Sequence, residues 1–272
     1  MTGKRRATKA GVIRCGMGGW TYAPWRGVFY PEGLVQKREL AYASGEVSCI
    51  EINGTYYRLP DAATFRGWAA QTPEGFVFSV KAPRHIMQAR RLGEAGERIR
   101  RFVAHAAALG DRLGPLLWQC LPTRRFDADD IAAFLDLLPD THDGVPLRHA
   151  VEVRHESFLD AGWLELARQR GVATVFTDSA DYPSLADLTG PFVYARLMRS
   201  RAGVRTGYPA NALQAWAERA AQWAAGGDPA DLPHVGGASP TLPSRDVFVY
   251  FISAAKERNP AAAVALGKLT RA

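Results

Sequence analysis

Three carboxylates occur at or next to the ends of short apolar segments, namely Glu51, Glu152 and Asp178. Paired carboxylates permit general acid and general base catalysis, because neighbouring groups can separate their pKa values. Carboxylate oxygens also suit Mg²⁺ or Mn²⁺, but the sequence has no His-x-His or His-Glu-x-x-His spacing. We therefore predict that the three acids are catalytic and that no cofactor is needed, with a divalent metal kept as the alternative.

Cationic and amide side chains end neighbouring segments of the same kind, where they could bind a substrate. Ammonium and guanidinium groups hold phosphates and carboxylates and can stabilise a developing oxyanion. Alternate residues of a strand share one face, so we expect Glu51 beside Asn53 and Glu152 beside Arg154. A small anionic ligand is therefore the predicted partner. The predicted binding residues are Asn53, Lys81, Gln119, Arg154, His155, Arg196, Trp20 and Tyr22.

The same charged residues could instead form a closed network of ion pairs with no function beyond stability. Buried charges persist when they are paired, and three acids would balance Lys81, Arg154 and Arg196. Each buried pair has a desolvation cost, however. A cluster of charged side chains where apolar ones are usual departs from the ordinary pattern of a folded core, and such departures usually mark a functional site. We favour the functional interpretation and keep the structural one open.

An aromatic segment at 19–31 contains two of the predicted binding residues, Trp20 and Tyr22. Its rings could stack on a sugar or a base. They could equally pack inward and seal the fold, since large aromatic side chains are mostly buried. Tyr56 and Tyr57 have the same two interpretations, and only Trp20 and Tyr22 are predicted to contact a ligand.

Eight short apolar segments, which alternate with helical patterns, must position these residues. The segments are rich in β-branched and aromatic residues, as is typical of strands buried on both faces. Capping signals mark helix starts at Pro60-Asp61 and at Asn259, which is predicted as an N-cap before a proline. Only Ser184–Leu188 follows the sixth strand, so the helix there is predicted to be short or missing. The predicted strands are Val12–Cys15, Ser48–Ile52, Phe76–Val80, Leu116–Gln119, Ala150–Val153, Ala173–Phe176, Phe192–Leu197 and Val247–Phe251.

This alternation predicts an α/β fold with a single (β/α)₈ TIM-like barrel, because eight units fit into about 260 residues. A doubly wound open sheet is the alternative, although no Gly-x-Gly-x-x-Gly follows the first strand. Active sites of such barrels lie at the C-terminal ends of the strands, where the polar residues collect. We expect residues 1–11 to form a basic flexible tail and residues 12–272 one barrel domain. Within that domain, 226–244 holds four glycines and four prolines and is predicted to be a long flexible loop.

Composition and charge restrict the compartment and the partners. Lys and Arg number 34 against 27 Asp and Glu, a net charge of +7. The first 14 residues hold five of these bases and no acid, so nucleic acid is an alternative partner, and a solvated tail is the simpler interpretation. No apolar run approaches the roughly 18 residues of a membrane span. The three cysteines are widely spaced, which predicts reduced thiols in a cytoplasmic protein; the oligomeric state stays open.

Seven separate motifs are spread along the chain: Gly19–Tyr22, Trp25–Pro31, Glu51–Pro60, Phe78–Pro83, Leu113–Pro115, Glu152–Phe158 and Tyr194–Leu197. Together they make the chain similar to the YecE-like family, a domain of unknown function, over roughly residues 12–255. The resemblance implies no reaction, but it implies a TIM barrel with these residues at its mouth: Glu51, Asn53, Lys81, Glu152, Arg154, His155, Asp178 and Arg196.

The chain departs from this family in two places. Met198-Arg199 follows the seventh strand where the family usually has His-Gly. After the eighth strand, Ser253 and Ala254 lie where the family usually has amides and an acid.

Three hypotheses follow. The first is an enzyme that acts by acid/base chemistry on an anionic or phosphorylated ligand at the C-terminal mouth of the barrel. The second is a protein that binds or processes nucleic acid. The third is a catalytically degenerate member that only binds a ligand or a partner.

Overall fold

The computed structural model describes residues 10–236 and 243–271. Parallel strands alternate with helices in an α/β barrel, which confirms the predicted fold class. Each of the eight segments predicted as strands overlaps an observed strand. The strands are β1 (Ile13–Gly18), β2 (Cys49–Ile52), β3 (Val77–Lys81), β4 (Leu113–Gln119), β5 (His149–Glu152), β6 (two segments, Ala173–Thr174 and Phe176–Thr177), β7 (Val193–Leu197) and β8 (Val247–Phe251).

Strand pairing runs around the barrel in chain order. β1 pairs with β2 on one side and with β8 on the other, in parallel. The first segment of β6 pairs with β5 and the second pairs with β7. Each half of β6 thus bonds to a different neighbouring strand. The sheet therefore closes through β6, although Val175 separates its two segments. A short antiparallel hairpin, Thr141–His142 with Val145–Pro146, precedes β5.

Helices cover the outside of the barrel. Asp61, Asp127 and Asp160 cap three of them, each accepting a hydrogen bond from a backbone N–H of the first turn. No helix lies between β6 and β7, where all residues are described, which confirms the predicted short or missing helix. The helices are α1 (Glu39–Glu46), α2 (Ala62–Ala69), α3 (Arg84–Met87), α4 (Gly96–Ala106), α5 (Ala128–Asp136), α6 (Ala161–Gln169), α7 (Ala210–Ala224) and α8 (Asn259–Leu269).

The predicted N-cap role of Asn259 is wrong. Its backbone is already helical, with φ −59° and ψ −40°, so it is the first residue of α8 and not its cap. Its buried side chain accepts a hydrogen bond from Ser200 Oγ (2.8 Å) and donates one to the Ser253 carbonyl (3.1 Å). Asn259 therefore ties the loops after β7 and β8 together.

Two apolar clusters form the core. The larger lies between the strands and the helices and includes Ile50 and Ile52, so these two side chains face outward from β2. The smaller fills the barrel interior and includes Phe192 and Phe248, whose rings meet edge to face at 5.9 Å. Both phenylalanines lie near the N-terminal ends of their strands. The interior becomes polar towards the C-terminal ends, where it meets an open cavity.

The predicted tail and loop fall partly outside the described residues, which exclude 1–9 and 237–242. The described part of the loop is anchored by Asp187, whose carboxylate accepts hydrogen bonds from the backbone N–H groups of Val235 (2.8 Å) and Gly236 (2.7 Å). Within the described residues, no helix is long and apolar enough to cross a membrane.

Candidate active site

Strand alternation directs a layer of polar side chains into the barrel at its C-terminal end. In register, Glu51 of β2 lies beside Ser79 of β3, and Gln119 of β4 lies beside Glu152 of β5. Arg196 of β7 enters the same layer from across the barrel. Because neighbouring parallel strands keep the same face in register, residues far apart in sequence meet here.

Arg196 is the centre of a buried ion-pair network. Its Nε and Nη2 donate to the two oxygens of Glu51 at 3.0 and 2.9 Å, and its Nη1 donates to Glu152 Oε2 at 2.6 Å. All three residues are at most 2% exposed. A bidentate guanidinium–carboxylate pair of this kind is among the stronger and more directional contacts in proteins.

Further side chains donate hydrogen bonds to the carboxylates of both glutamates. Tyr194 Oη donates to Glu51 at 2.7 Å. Gln119 Nε2 and Arg154 Nε donate to Glu152 at 2.7 and 3.0 Å. Each of the four carboxylate oxygens therefore accepts at least one hydrogen bond, as the ion-pair interpretation of the sequence requires.

Protonation follows from this pairing. Burial raises the pKa of the Glu152 carboxyl, but Arg196, Arg154 and Gln119 together outweigh burial and the net pKa is lowered. Burial lowers the pKa of Arg196, and Glu152 and Glu51 outweigh it in turn, so that pKa is raised. The geometry commits both glutamates to charge pairing, and their catalytic role stays a prediction.

An open cavity of about 690 Å³ lies beside the network, a volume in the range of small-molecule sites. Among the described residues that line it there is no aspartate or glutamate. The lining includes the cations Lys81, Arg154, Arg196 and Lys256, the aromatics Trp20, Tyr56, Tyr57 and Trp68, and the amides Asn53, Gln119 and Asn259.

Lys81 differs from the other cations of the network because it has no carboxylate partner. It is 8% exposed, and its ammonium forms no ion pair or hydrogen bond with any other described residue. Its Nζ lies 4.1 Å from the ring centroid of Tyr56. Burial and Arg196 lower the pKa of Lys81 to about 8, and Glu51 and Glu152 offset only part of that shift.

Six of the predicted site residues meet at the cavity: Asn53, Lys81, Gln119, Arg154, Arg196 and Trp20. Most of the aromatic segment packs inward instead, with Trp25 and Tyr30 buried. Trp25 Nε1 donates to the Lys256 carbonyl at 2.9 Å. The sealing interpretation therefore holds for these two rings, while Trp20 reaches the cavity.

Five predicted site residues lie outside the cavity lining: the acids Glu51, Glu152 and Asp178, and also Tyr22 and His155. Tyr22 lies under the ammonium of Lys256, at 4.3 Å from its ring centroid. His155 accepts a hydrogen bond from the backbone N–H of Ser157 and caps a short turn. The side chains of Tyr22 and His155 therefore make local contacts and do not reach the cavity.

Asp178 was predicted as a third catalytic acid, but it does not line the cavity and its hydrogen-bond partners differ from those of Glu51 and Glu152. Its carboxylate accepts hydrogen bonds from the backbone N–H of Met198 and from Tyr208 Oη, the latter at 2.8 Å. These contacts hold the loop after β7. Asp178 directly follows the second segment of β6, and its carboxylate is bound by this loop.

Sequence reasoning missed Lys256 as a cavity residue. It lies five positions after the end of β8, beyond the strand ends on which the prediction concentrated. Burial lowers the pKa of Lys256. The loop after the last strand lies on the same side of the barrel as the other loops that follow strands. A lysine in that loop was therefore the sequence signal that could have identified this residue.

Metal and thiol chemistry find little support in the residues present. The described part of the chain has no group of three or more His, Cys, Asp or Glu that could hold a metal. Its three cysteines are free and buried. Burial raises the pKa of Cys15 and Cys120 to about 12, so these thiols stay protonated near neutral pH.

Fold and site together define a TIM-barrel protein with a cation-lined cavity at the C-terminal mouth. The model of DUF72, a protein family of unknown function, matches residues 14–272. The chain therefore belongs to the DUF72 family, which is the YecE-like family that its motifs indicated. Among curated proteins, none matches the chain.

Solved structures show the same fold. A DUF72 family protein from Thermotoga maritima is 20% identical, with 96% of this chain and 100% of that chain covered and a TM-score of 0.73. Another from Enterococcus faecalis is 17% identical, with 96% and 98% covered and a TM-score of 0.70. The crystal structure of SacUVDE is 9% identical, with 96% and 98% covered and a TM-score of 0.52. At these identities the likeness concerns the fold alone.

Proposed function

We propose that this protein is an enzyme that binds an anionic small molecule in the mouth cavity and performs acid–base chemistry on it. One observation carries the proposal. The cavity of about 690 Å³ has four cationic side chains in its lining and, among the described residues, no acidic one. Guanidinium and ammonium groups favour a phosphate or carboxylate ligand, and two of the four, Lys81 and Lys256, form no ion pair with any other described residue.

The charges of the network indicate how much negative charge the ligand carries. Glu51 and Glu152 balance Arg196 and Arg154 one for one. The ammonium groups of Lys81 and Lys256 form no ion pair with any other described residue, and they lie 4.1 Å from the ring centroid of Tyr56 and 4.3 Å from that of Tyr22. A ligand with one or two negative charges would balance the remaining cations.

The wall of the cavity suggests the rest of the ligand. Trp20 and Trp68 meet edge to face with ring centroids 5.1 Å apart, and Tyr56 lies on the Lys81 side. Aromatic faces next to polar groups suit the apolar face of a sugar or a planar ring. Asn53 and Gln119 supply amide groups for hydroxyls or carbonyls.

Lys81 is the group best suited to move a proton. A general base is most effective when its pKa lies near the working pH, and the pKa of Lys81 is lowered to about 8. The two glutamates first considered for this role are both paired with Arg196, and the pKa of Glu152 is lowered. The acid–base role thus passes from the carboxylates to Lys81.

Anion binding tests the proposal directly. The melting temperature of the parent is measured with inorganic phosphate, citrate or ribose 5-phosphate, and with neutral ribose as the reference. A ligand that binds only the folded chain raises the melting temperature by mass action. We expect Lys81→Met and Lys256→Met to reduce the shift, and Lys37→Met, an exposed lysine outside the cavity, to leave it unchanged. An equal response of all variants to every anion contradicts the proposal.

Nucleic acid is the second candidate because of the loop after β7. Arg199, Arg201 and Arg205 are exposed there. Binding of labelled single- and double-stranded oligonucleotides is measured by fluorescence anisotropy from low to high salt. Phosphate contacts make the affinity fall steeply with salt, so undetectable or salt-independent binding rejects this candidate.

A further inference from the structure

We infer that Lys81 forms a covalent imine with the carbonyl carbon of an anionic aldehyde or 2-oxo acid bound in the mouth cavity. The inference rests on the proposed function, because the anion must enter the cavity first. It adds the chemical class of the substrate and a nucleophilic role for one amine.

The first support is the isolation of Lys81 within a network that satisfies its other members. Arg196 holds both glutamates, and Arg154 pairs with Glu152 while its guanidinium lies 4.1 Å from the ring centroid of Tyr182. Lys81 also faces a ring, that of Tyr56, but it forms no ion pair with any other described residue. Keeping an unpaired ammonium in a buried place has a desolvation cost, so a role other than structural pairing is required.

The second support is the choice of lysine at this position. A site built only to hold an anion is better served by arginine, which stays charged and binds carboxylates and phosphates with two parallel hydrogen bonds. Lysine can lose its proton, and desolvation or a nearby cation makes its amine available as a nucleophile. Both conditions hold for Lys81, which is buried and lies in the field of Arg196.

The third support is the arrangement of the cavity around the amine. Lys256 and Arg154 line it and can hold the anionic end of the ligand, and Asn53 and Gln119 can hold its carbonyl oxygen or hydroxyls. The cavity opens to water, which can carry protons to and from the reacting atoms. No metal or redox partner is required.

The step balances without a co-reactant. The neutral Lys81 amine, after giving one proton to water, attacks the carbonyl carbon and forms a C–N bond. The resulting carbinolamine regains that proton and loses its oxygen as water when the C–O bond breaks. The product is a protonated imine, so one aldehyde and one ammonium give one iminium ion and one water molecule.

Reductive trapping tests the inference. The folded protein is incubated at pH 7 with glyoxylate and sodium cyanoborohydride, which reduces an imine to a stable secondary amine, and labelled peptides are mapped by mass spectrometry. The chain has six lysines. With a pKa of about 8, Lys81 holds about two-hundredfold more free amine at pH 7 than an ordinary lysine. Allowing for lower intrinsic nucleophilicity and restricted access, we expect it to be labelled about tenfold faster than Lys37 or Lys268.

Controls separate this inference from the proposed function. Lys81→Arg removes the fast label and keeps the charge, whereas Lys37→Arg, the matched exposed change, keeps the fast label. Inorganic phosphate slows labelling of Lys81, and neutral glycolaldehyde labels it with less preference over the other lysines. Equal labelling of all lysines, or fastest labelling elsewhere, overturns the inference even if phosphate still raises the melting temperature. Loss of both the phosphate response and the label overturns the proposed function as well. The mapping uses the parent protein, so it stands even if Lys81→Arg does not fold.

Discussion

Replacing Glu152 with glutamine removes one negative charge from the buried network and keeps the shape of the side chain. In the parent, Glu152 accepts from Arg196 Nη1 (2.6 Å), Arg154 Nε (3.0 Å) and Gln119 Nε2 (2.7 Å). The glutamine amide oxygen can satisfy only part of this set, and Arg196 keeps a single counter-charge. Removing one partner of a buried ion pair costs about 3–5 kcal/mol, because the other charge stays buried.

The expected change in melting temperature follows from the length of the chain. The entropy of unfolding is about 2.1 cal/mol/K per residue, which for 272 residues is about 0.6 kcal/mol/K. A cost of about 3–5 kcal/mol then lowers the melting temperature at pH 7 by about 5–9 °C. Differential scanning calorimetry measures it. Glu74→Gln, at an exposed position, is the matched control and changes the melting temperature by about 1 °C or less.

The pH dependence gives a second, independent check. The pKa of Glu152 is lowered in the folded state, so its stabilising contribution is fully present above the ordinary glutamate pKa. It is lost as the pH falls through the lower, folded-state pKa. The gap between parent and Glu152→Gln should therefore be widest near neutral pH and narrow in acid. An unchanged or raised melting temperature at pH 7 refutes the reasoning and means that Glu152 is kept for something other than stability.

Three further changes test other parts of the structure. Lys81→Met removes an unpaired buried ammonium, so this variant should melt at a higher temperature than the parent at pH 7. Because the folded-state pKa of Lys81 is lowered from 10.5 to about 8, the difference in melting temperature should shrink as the pH rises above about 8. A pH-independent difference contradicts the lowered pKa of Lys81. Tyr194→Phe removes the hydrogen bond to Glu51 and should lower the melting temperature by about 3–5 °C, for a loss of about 1.5–3 kcal/mol. Ala254 has φ +46°, a conformation that glycine adopts without steric cost, so Ala254→Gly should raise the melting temperature by about 1–2 °C in the same calorimeter, and a decrease would show that the conformation is not strained.

The fold could be predicted because its signals are local. Strands buried on both faces have near-continuous apolar runs, and helix starts have capping residues such as Asp61, so each element is encoded in a short window. The missing helix after the sixth strand was equally visible as a lack of helical pattern. Asn259 was misjudged because the contacts of its side chain with Ser200 and Ser253 come from two other loops.

The candidate site was only partly predictable from the strand ends. Alternation places Glu51 and Glu152 inside the barrel and at the mouth, as expected, because side-chain direction in a strand is a local property. Whether such a carboxylate is free or paired depends on which side chains from the opposite strands come close enough to bind it. Arg196 lies 145 positions from Glu51, and nothing near either residue in the sequence marks them as partners.

The sequence by itself thus determined the barrel, the end at which the polar groups collect and the excess of positive charge. The tertiary structure alone decided which charges cancel. Arg196 takes both glutamates because its planar guanidinium can reach two carboxylates at once. Asp178 binds Tyr208 and the loop after β7, and Lys81 lies beside Tyr56 with no ion-pair partner among the described residues. Electrostatic pairing depends on distances between strands and on burial, and these exist only once the sheet has closed.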